Sequence, residues 1–221
     1  MKVSALLACF GSICAVSATG AASVLFDFNN GPQYSGTPLD QVAGGIRAHF
    51  DSIGGQGYSI QDIGQVIGML PTGFSGLGLS PNSVFPSDLT ISFHDAVTSN
   101  PLFLSDVSMM VAPQELACDS SSTMKMSAYN GSTFVGSVTA VAVADVYTWP
   151  TIDLAFSSAL PFDNVVIHFQ SGPPTGGDWG PIFVADNLLV NPAPVPEPAT
   201  LTALGIAAIT FARFGRQRKQ P

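Results

Sequence analysis

Three histidines are the residues of this sequence best suited to acid-base or metal chemistry. His49, His94 and His168 each lie on the more polar side of a segment in which apolar and polar residues alternate. They occur in separate segments, without the close spacing typical of histidines that bind zinc. We therefore predict imidazoles on solvated strand faces and no converging catalytic or metal centre.

No motif in the sequence identifies a reaction. The stretch "GFSGLG" at 73–78 has Leu77 where a nucleophile elbow needs its last glycine, and neither a phosphate loop nor a dinucleotide fingerprint is present. Paired carboxylates could hydrolyse glycosides, but the chain has fifteen acidic residues and sequence cannot select a pair. We predict a protein without catalytic residues; the alternative is a secreted hydrolase that acts on polysaccharide.

Two aspartates are the candidate metal ligands. Asp27 and Asp186 lie in the first and last predicted strands of the body, which commonly run side by side in jelly rolls. Nearby Asn29 and Asn187 add amide oxygens, and Ca²⁺ prefers oxygen ligands of these kinds. The pattern predicts a structural Ca²⁺ site, with Asp27 and Asp186 as its carboxylates and no other cofactor.

Aromatic residues in loop-like contexts are the candidate sugar contacts. Tyr147 and Trp149 occur in "DVYTWPT", and Trp179 occurs in "GGDWGP". A flat ring in such a loop can stack on a sugar, although tryptophan in a sandwich also packs in the core or at an edge. We predict carbohydrate contacts at Trp149 and Trp179.

Alternation with a period of two recurs along the body and predicts the strands that carry these residues. One set of alternate side chains is apolar and is predicted to face inward: Val24, Phe26, Phe28, Ile46, Ala48, Phe50, Leu89, Ile91, Phe93, Ile152, Leu154, Phe156, Val165, Ile167 and Phe169. Asn130-Gly131 between β-prone residues predicts a hairpin and explains the formal glycosylation sequon at 130–132. The fold class predicted is all-β, an antiparallel β-sandwich of jelly-roll type.

The body is strongly acidic. Arg47 and Lys125 are its only Lys or Arg residues, whereas Glu197 alone of the acidic residues lies outside it, so that the body carries a net charge of −12. Nucleic acid is therefore not predicted as a partner, because binding it depends on cations that neutralise phosphates. The Gly-rich segment 54–86 is the least regular part, either a long functional loop or irregular connections.

The N-terminus has the order of a secretory signal peptide. Lys2 is followed by an apolar run over 3–16 and by small residues over 17–23. We predict a signal peptide over 1–22 that directs export by the Sec machinery; the alternative is a buried helix of the fold. Its removal leaves Cys118 as an unpaired and inert thiol, with no intramolecular disulfide.

The C-terminus begins with the Pro-rich linker "NPAPVPEP" and continues with fourteen uncharged residues, Ala199–Ala212. As a helix they cover about 21 Å, which is shorter than the ~30 Å hydrocarbon core of a bilayer. A permanent membrane anchor is therefore poorly fitted. A basic end follows, and it is formed by Arg213, Arg216, Arg218 and Lys219.

The order Pro196-Glu197-Pro198, short apolar helix and basic end closely resembles the PEP-CTERM sorting signal of exported bacterial proteins. The stretch "VPEPATLTALGIAA" carries the resemblance, and the basic cluster departs from it at Gly215 and Gln217. The resemblance implies transient retention in the inner membrane and cleavage by an exosortase. It also implies a final location at the surface or in the extracellular polymer of a Gram-negative bacterium.

The body more weakly resembles the β-sandwich domains found upstream of such tails, which are similar to jelly-roll carbohydrate-binding modules. Three stretches carry that resemblance: "MSAYNGSTFVGSVTA", "LPFDNVVIHF" and "FVADNLLVNP". The domains expected are a signal peptide over 1–22, a β-sandwich over 23–192 and a sorting tail over 193–221. The function expected is binding, with exopolysaccharide as the partner; the alternatives are the hydrolase and a purely structural surface protein.

Overall fold

The computed structural model describes residues 22–113, 122–142, 150–171 and 182–194. Their elements follow one another along the chain as β1 (Val24–Phe26), β2 (Leu39–Ala43), β3 (Ile46–Ile53), β4 (Tyr58–Asp62), α1 (Ile63–Val66), β5 (Leu77–Pro81), β6 (Asp88–Asp95), β7 (Leu104–Pro113), β8 (Thr123–Asn130), β9 (Thr133–Val141), β10 (Ile152–Phe162), β11 (Asn164–Ser171) and β12 (Phe183–Pro192). The predicted signal peptide, Cys118 and the sorting tail beyond Pro194 lie outside the described residues. Within the described part of the chain, no helix has the length and hydropathy needed to cross a bilayer.

The strands form two antiparallel sheets. The first sheet has the order β10-β7-β12-β5-β4, with β1 paired to β12, and the second sheet has the order β2-β3-β6-β11-β8-β9. Residues of both sheets share one buried core that includes Phe50 and Ile91 of the second sheet and Val111 and Leu154 of the first. The predicted all-β, jelly-roll type sandwich is confirmed.

Alternation determines which side chains enter this core. In β3, β6 and β11 the predicted inward residues are buried, and they pair across the strands as Phe50 with Ile91 and Ile91 with Val165. Val24 and Phe156 are only partly buried at the margin of the core. Because successive side chains of a strand point to opposite faces, the residues between the buried ones lie on the outer face.

The hairpin predicted at Asn130-Gly131 joins β8 to β9, with its turn one residue later than the dipeptide indicates. Asn130 pairs with Thr133, so that Gly131 and Ser132 form the two-residue loop. Of the two loop residues, only Gly131 has a positive φ, of 57°. Glycine at the first central position is the pattern of a type II′ turn, which suits the twist of a hairpin.

The Gly-rich segment 54–86 is more regular than its sequence indicates. It contains β4 and β5 of the first sheet and the single-turn helix α1, whose N-cap Asp62 accepts a hydrogen bond from the backbone of Gln65. A second small cluster of Ile63, Phe74, Ala112 and Val184 lies on the outer side of the first sheet. The apolar runs of segment 54–86 are too short to show a period, which is why the sequence pattern does not predict β4 and β5.

We expect Gly131→Ala to lower the free energy of unfolding by about 1 to 2 kcal/mol, because alanine is strained in the left-handed region. No atom lies within 4 Å of the added Cβ, so the effect reports the backbone alone. Denaturant unfolding measures it, and Ser132→Ala is the matched control with a smaller loss, since Ser132 occupies the other position of the same loop and has no positive φ. Equal losses in both variants would contradict the assigned turn.

Candidate functional site

The outer face of the second sheet collects every basic side chain that the described body contains. Arg47 and His49 lie on β3, His94 on β6, Lys125 on β8 and His168 on β11. Arg47, His49, Lys125 and His168 each lie between buried residues, and His94 follows the buried Phe93. The three histidines were predicted on separate polar strand faces. The sheet order places them on the same face, because β3, β6 and β11 are neighbours.

A row of side chains crosses this outer face at right angles to the strands. Successive register partners define it, one from each strand of the second sheet: Asp40, His49, Ser92, Asn164, Tyr129 and Phe134. We call these residues the cross-strand row. Five strand spacings give it a length of about 24 Å. It therefore offers an elongated ligand a continuous series of polar groups that ends in two aromatic rings.

A cleft of about 310 Å³ opens over the middle of the cross-strand row. His49, Ser92, His94 and Asn164 line it, and Pro101 closes one side, where it pairs with His94. The volume is at the lower end of the range typical of small-molecule sites.

The turn that carries Pro101 is fixed by Asp95, whose carboxylate accepts hydrogen bonds from the backbone of Thr98 and Val97 and from the Thr98 hydroxyl. These bonds, with that of the Thr98 backbone the strongest, lower the pKa of Asp95. Asp95 therefore stays ionised at neutral pH and holds the wall of the cleft in place.

The basic side chains on this face differ in whether they have hydrogen-bond partners. His49 Nδ1 lies 2.6 Å from Asp40 Oδ1, and His168 Nδ1 lies 2.6 Å from Asp88 Oδ1. His94 Nε2 lies 3.1 Å from Ser92 Oγ. In contrast, His94 Nδ1 and Arg47 Nε are buried and have no hydrogen-bond partner among the described residues. Two unsatisfied nitrogens therefore lie beside the cleft.

The aromatic end of the row is a pair of rings. Tyr129 and Phe134 contact edge to face, with centroids 5.7 Å apart, and Phe134 is 56% exposed. The sequence alone does not indicate this pair, because both residues occupy ordinary strand positions; only the hairpin register places them together on the outer face. The predicted sugar contacts Trp149 and Trp179, and Tyr147, lie outside the described residues.

The Asp27 and Asp186 pair lies elsewhere, where β1 runs beside β12. Asp186 is fully buried at a bulge in β12, and its carboxylate accepts hydrogen bonds from the backbone and hydroxyl of Ser75 and from the backbone of Asn187. Asn29 donates its side-chain amide to Ser75 Oγ at 2.8 Å. Asn29 and Asp186, which the sequence analysis placed near each other, are therefore connected through Ser75 of the Gly-rich segment.

These hydrogen bonds leave a poor fit for Ca²⁺. The ion needs six to eight oxygens, whereas both oxygens of Asp186 accept protein hydrogen bonds and Asn29 Oδ1 accepts one from the backbone of Leu77. No set of three or more His, Cys, Asp and Glu within the described ranges is arranged to hold a metal ion. Ca²⁺ at Asp27 and Asp186 stays a prediction, and an unchanged melting temperature with Ca²⁺ or chelator would exclude it.

Burial changes the acidity of Asp186. Loss of hydration raises its pKa to about 6, against the lowering effect of the hydrogen bonds from Ser75 and Asn187, and the charge of Asp27 adds a small increase. Burial therefore favours the protonated form of Asp186, whereas its hydrogen-bond donors favour the carboxylate. It fastens segment 73–77 to β12 and takes no part in the cross-strand row.

Comparison with known proteins identifies the C-terminal tail. Residues 194–219 match the PEP-CTERM protein-sorting motif. The predicted resemblance is confirmed, and the chain carries the sorting motif of exported proteins. No curated protein matches the chain in sequence.

Solved structures similar to the body include family 29 carbohydrate binding modules. One variant of CBM29-2 has a TM-score of 0.36 at 9% identity, over 77% of this chain and 92% of that chain. A variant complexed with cellulohexaose has a TM-score of 0.35 at 10% identity, over 76% and 91%. A variant complexed with mannohexaose has a TM-score of 0.33 at 11% identity, over 77% and 92%. Likeness at this level assigns neither a ligand nor a binding face.

The raised pKa of Asp186 predicts a pH-dependent stability. Because its folded pKa exceeds the unfolded value, its contribution is complete below about pH 4 and is lost as the pH rises through about 6, a change of about 2 to 3 kcal/mol. Asp186→Asn should remove this dependence, so that the stability difference between wild type and variant shrinks from pH 4 to pH 7. Denaturant unfolding at a series of pH values measures it, and a constant difference would contradict the assignment.

Proposed function

We propose that the protein is exported and processed by an exosortase, and that its β-sandwich then binds polysaccharide without catalysis at the cell surface or in the extracellular matrix of a Gram-negative bacterium. The single observation that carries the binding role is the cross-strand row. It lies on the outer face, spans the whole second sheet, and combines partly exposed hydrogen-bonding groups with the exposed ring of Phe134. These are the two kinds of contact that a sugar chain uses, hydroxyls to polar groups and ring faces to aromatic faces.

The shape of the surface supports a chain-like ligand. The row extends well beyond the cleft at His49 and Ser92, so a ligand that fills the cleft can continue across β8 and β9 toward Phe134. A compact metabolite would leave Tyr129 and Phe134 without a role. The residues along the row belong to a paired sheet, and this rigid support lowers the entropy lost on binding.

The tail supports the location. Pro196, Glu197 and Pro198 lie in the matched motif, where we place exosortase processing, and the basic residues Arg213, Arg216, Arg218 and Lys219 hold the C-terminus on the cytoplasmic side beforehand. The signal peptide over 1–22 brings the body to the Sec machinery. The last described strand, β12, ends at Pro192, before the matched motif, so removal of the motif leaves all described strands in the body.

Phe134→Ala should weaken binding to immobilised polysaccharide about tenfold, since loss of one stacking ring removes about 1 to 1.5 kcal/mol. Affinity electrophoresis against a panel of neutral and acidic polysaccharides measures the change. Phe103→Ala is the matched control, because Phe103 is also exposed, at 42%, but precedes a strand of the first sheet. Equal effects of the two variants would contradict the assigned face, and release of sugar fragments would favour a hydrolase.

Mass spectrometry of the protein recovered from the extracellular fraction tests the processing. We expect a C-terminus upstream of Arg213 and an N-terminus near Ala22, because both targeting segments are removed. An intact Arg213–Pro221 end on extracellular material would contradict exosortase processing, whatever the sandwich binds. Cells that lack exosortase activity provide the control, in which the tail should remain attached and the protein should stay with the membrane.

A further inference from the structure

We propose that the surface beside His94 and Arg47 binds an anionic group of the ligand, so that the polysaccharide recognised is acidic and Arg47 selects it. This inference rests on the proposed function, because it names the substrate class of the same face. The shared chemistry is a sugar that carries an anionic oxygen group, either a carboxylate or a sulfate.

The charge distribution gives the first argument. The body has a net charge of −12, yet its only two Lys or Arg residues, Arg47 and Lys125, both lie on the outer face of the second sheet. The three histidines of the chain lie there as well. An anionic ligand would be repelled by most of the body. At physiological salt, charges more than about 8 Å away are largely screened, so contacts on this face determine whether an anionic ligand binds.

The state of Arg47 gives the second argument. Within the described ranges no carboxylate lies within ion-pair distance of Arg47, and its buried Nε has no hydrogen-bond partner. A buried donor without a partner loses about 1 to 3 kcal/mol. A carboxylate or sulfate group can pair with a guanidinium through two parallel hydrogen bonds. Arg47 is only partly buried and has no anionic partner among the described residues, and an anionic ligand would supply one.

The position of His94 gives the third argument. His94 is the direct cross-strand partner of Arg47, and such pairs have Cβ atoms about 5 Å apart. Its Nδ1 is buried and unpartnered, while its Nε2 contacts Ser92 in the cleft. Because His94 lines the cleft, Arg47 lies next to it, and the guanidinium is close to a substituent of a sugar bound there.

The nearby carboxylates do not cancel this site. Asp40 and Asp88 are each 2.6 Å from a histidine, His49 and His168. Asp163, at the rim of the cleft, accepts hydrogen bonds from the Gly131 backbone and the Asn164 side chain. Each of these three acids already has protein partners, whereas Arg47 on β3 has no carboxylate within ion-pair distance in the described part of the chain.

Binding of the purified protein to polygalacturonate, dextran sulfate and a neutral glucan tests the proposal. We expect at least one anionic polymer to bind about tenfold more tightly than the glucan, and Arg47→Gln to reduce it to the level of the glucan. Polygalacturonate alone would identify a carboxylate, and dextran sulfate alone would identify a sulfate. Arg47→Gln should fold, because it removes a buried unsatisfied donor, and its melting temperature checks this.

Lys125→Gln is the matched control, since it removes the same charge from the same face but lies opposite His168, away from His94. We expect it to change the affinity less than threefold. Equal losses in both variants would indicate unspecific attraction and overturn the proposal, as would an unchanged affinity of Arg47→Gln. Binding of the glucan without preference for either anionic polymer overturns this inference alone, whereas no binding to any polymer also overturns the proposed function.

Discussion

The packing of the two sheets against each other is the interaction on which the other features depend. Phe50, Ile91 and Val165 of the second sheet are fully buried in the shared core, as are Val111 and Leu154 of the first sheet. Burying one face of a strand requires its alternate residues to face outward. The positions of the polar and basic side chains on the outer face therefore follow from the core, and a one-residue slip would exchange the two sets.

The outer sides of the two sheets differ in how much of each is covered by other segments. The first sheet is covered in part by the Gly-rich segment, which packs Ile63 and Phe74 on it and fastens Ser75 to the buried Asp186. The second sheet carries an open row of polar and aromatic residues. One side thus contributes to stability and contains a pH-sensitive carboxyl, while the other remains available to a ligand. This division is what favours the second sheet as the binding surface.

Much of this architecture can be predicted from the sequence, because alternation and turn chemistry are local properties. The inward residues of β3, β6 and β11, the hairpin near Gly131 and the sorting tail were predicted correctly. The placement of the three histidines on one sheet face could not be predicted, since it depends on the order in which distant strands pair. The pairing of Tyr129 with Phe134 depends on a bulge in register, which the pattern does not reveal.

The strands of the Gly-rich segment could not be predicted from a local pattern. Its strands β4 and β5 have five residues each, and their role is set by tertiary contacts with β12 and with the residues before β2. Asp186 was selected as a calcium ligand from its residue type and strand position alone. Its hydrogen bonds to Ser75 and Asn187 depend on the packing of that segment, which no local pattern encodes.

We propose that polysaccharide binds to the outer face of the second sheet. Nuclear magnetic resonance of the isotope-labelled protein, titrated with an acidic oligosaccharide, locates the binding surface residue by residue. We expect amide shifts to change along β3, β6, β11 and the β8-β9 hairpin, with the largest changes near His94 and Phe134. Changes confined to the first sheet, or no change at any ligand concentration, would contradict it.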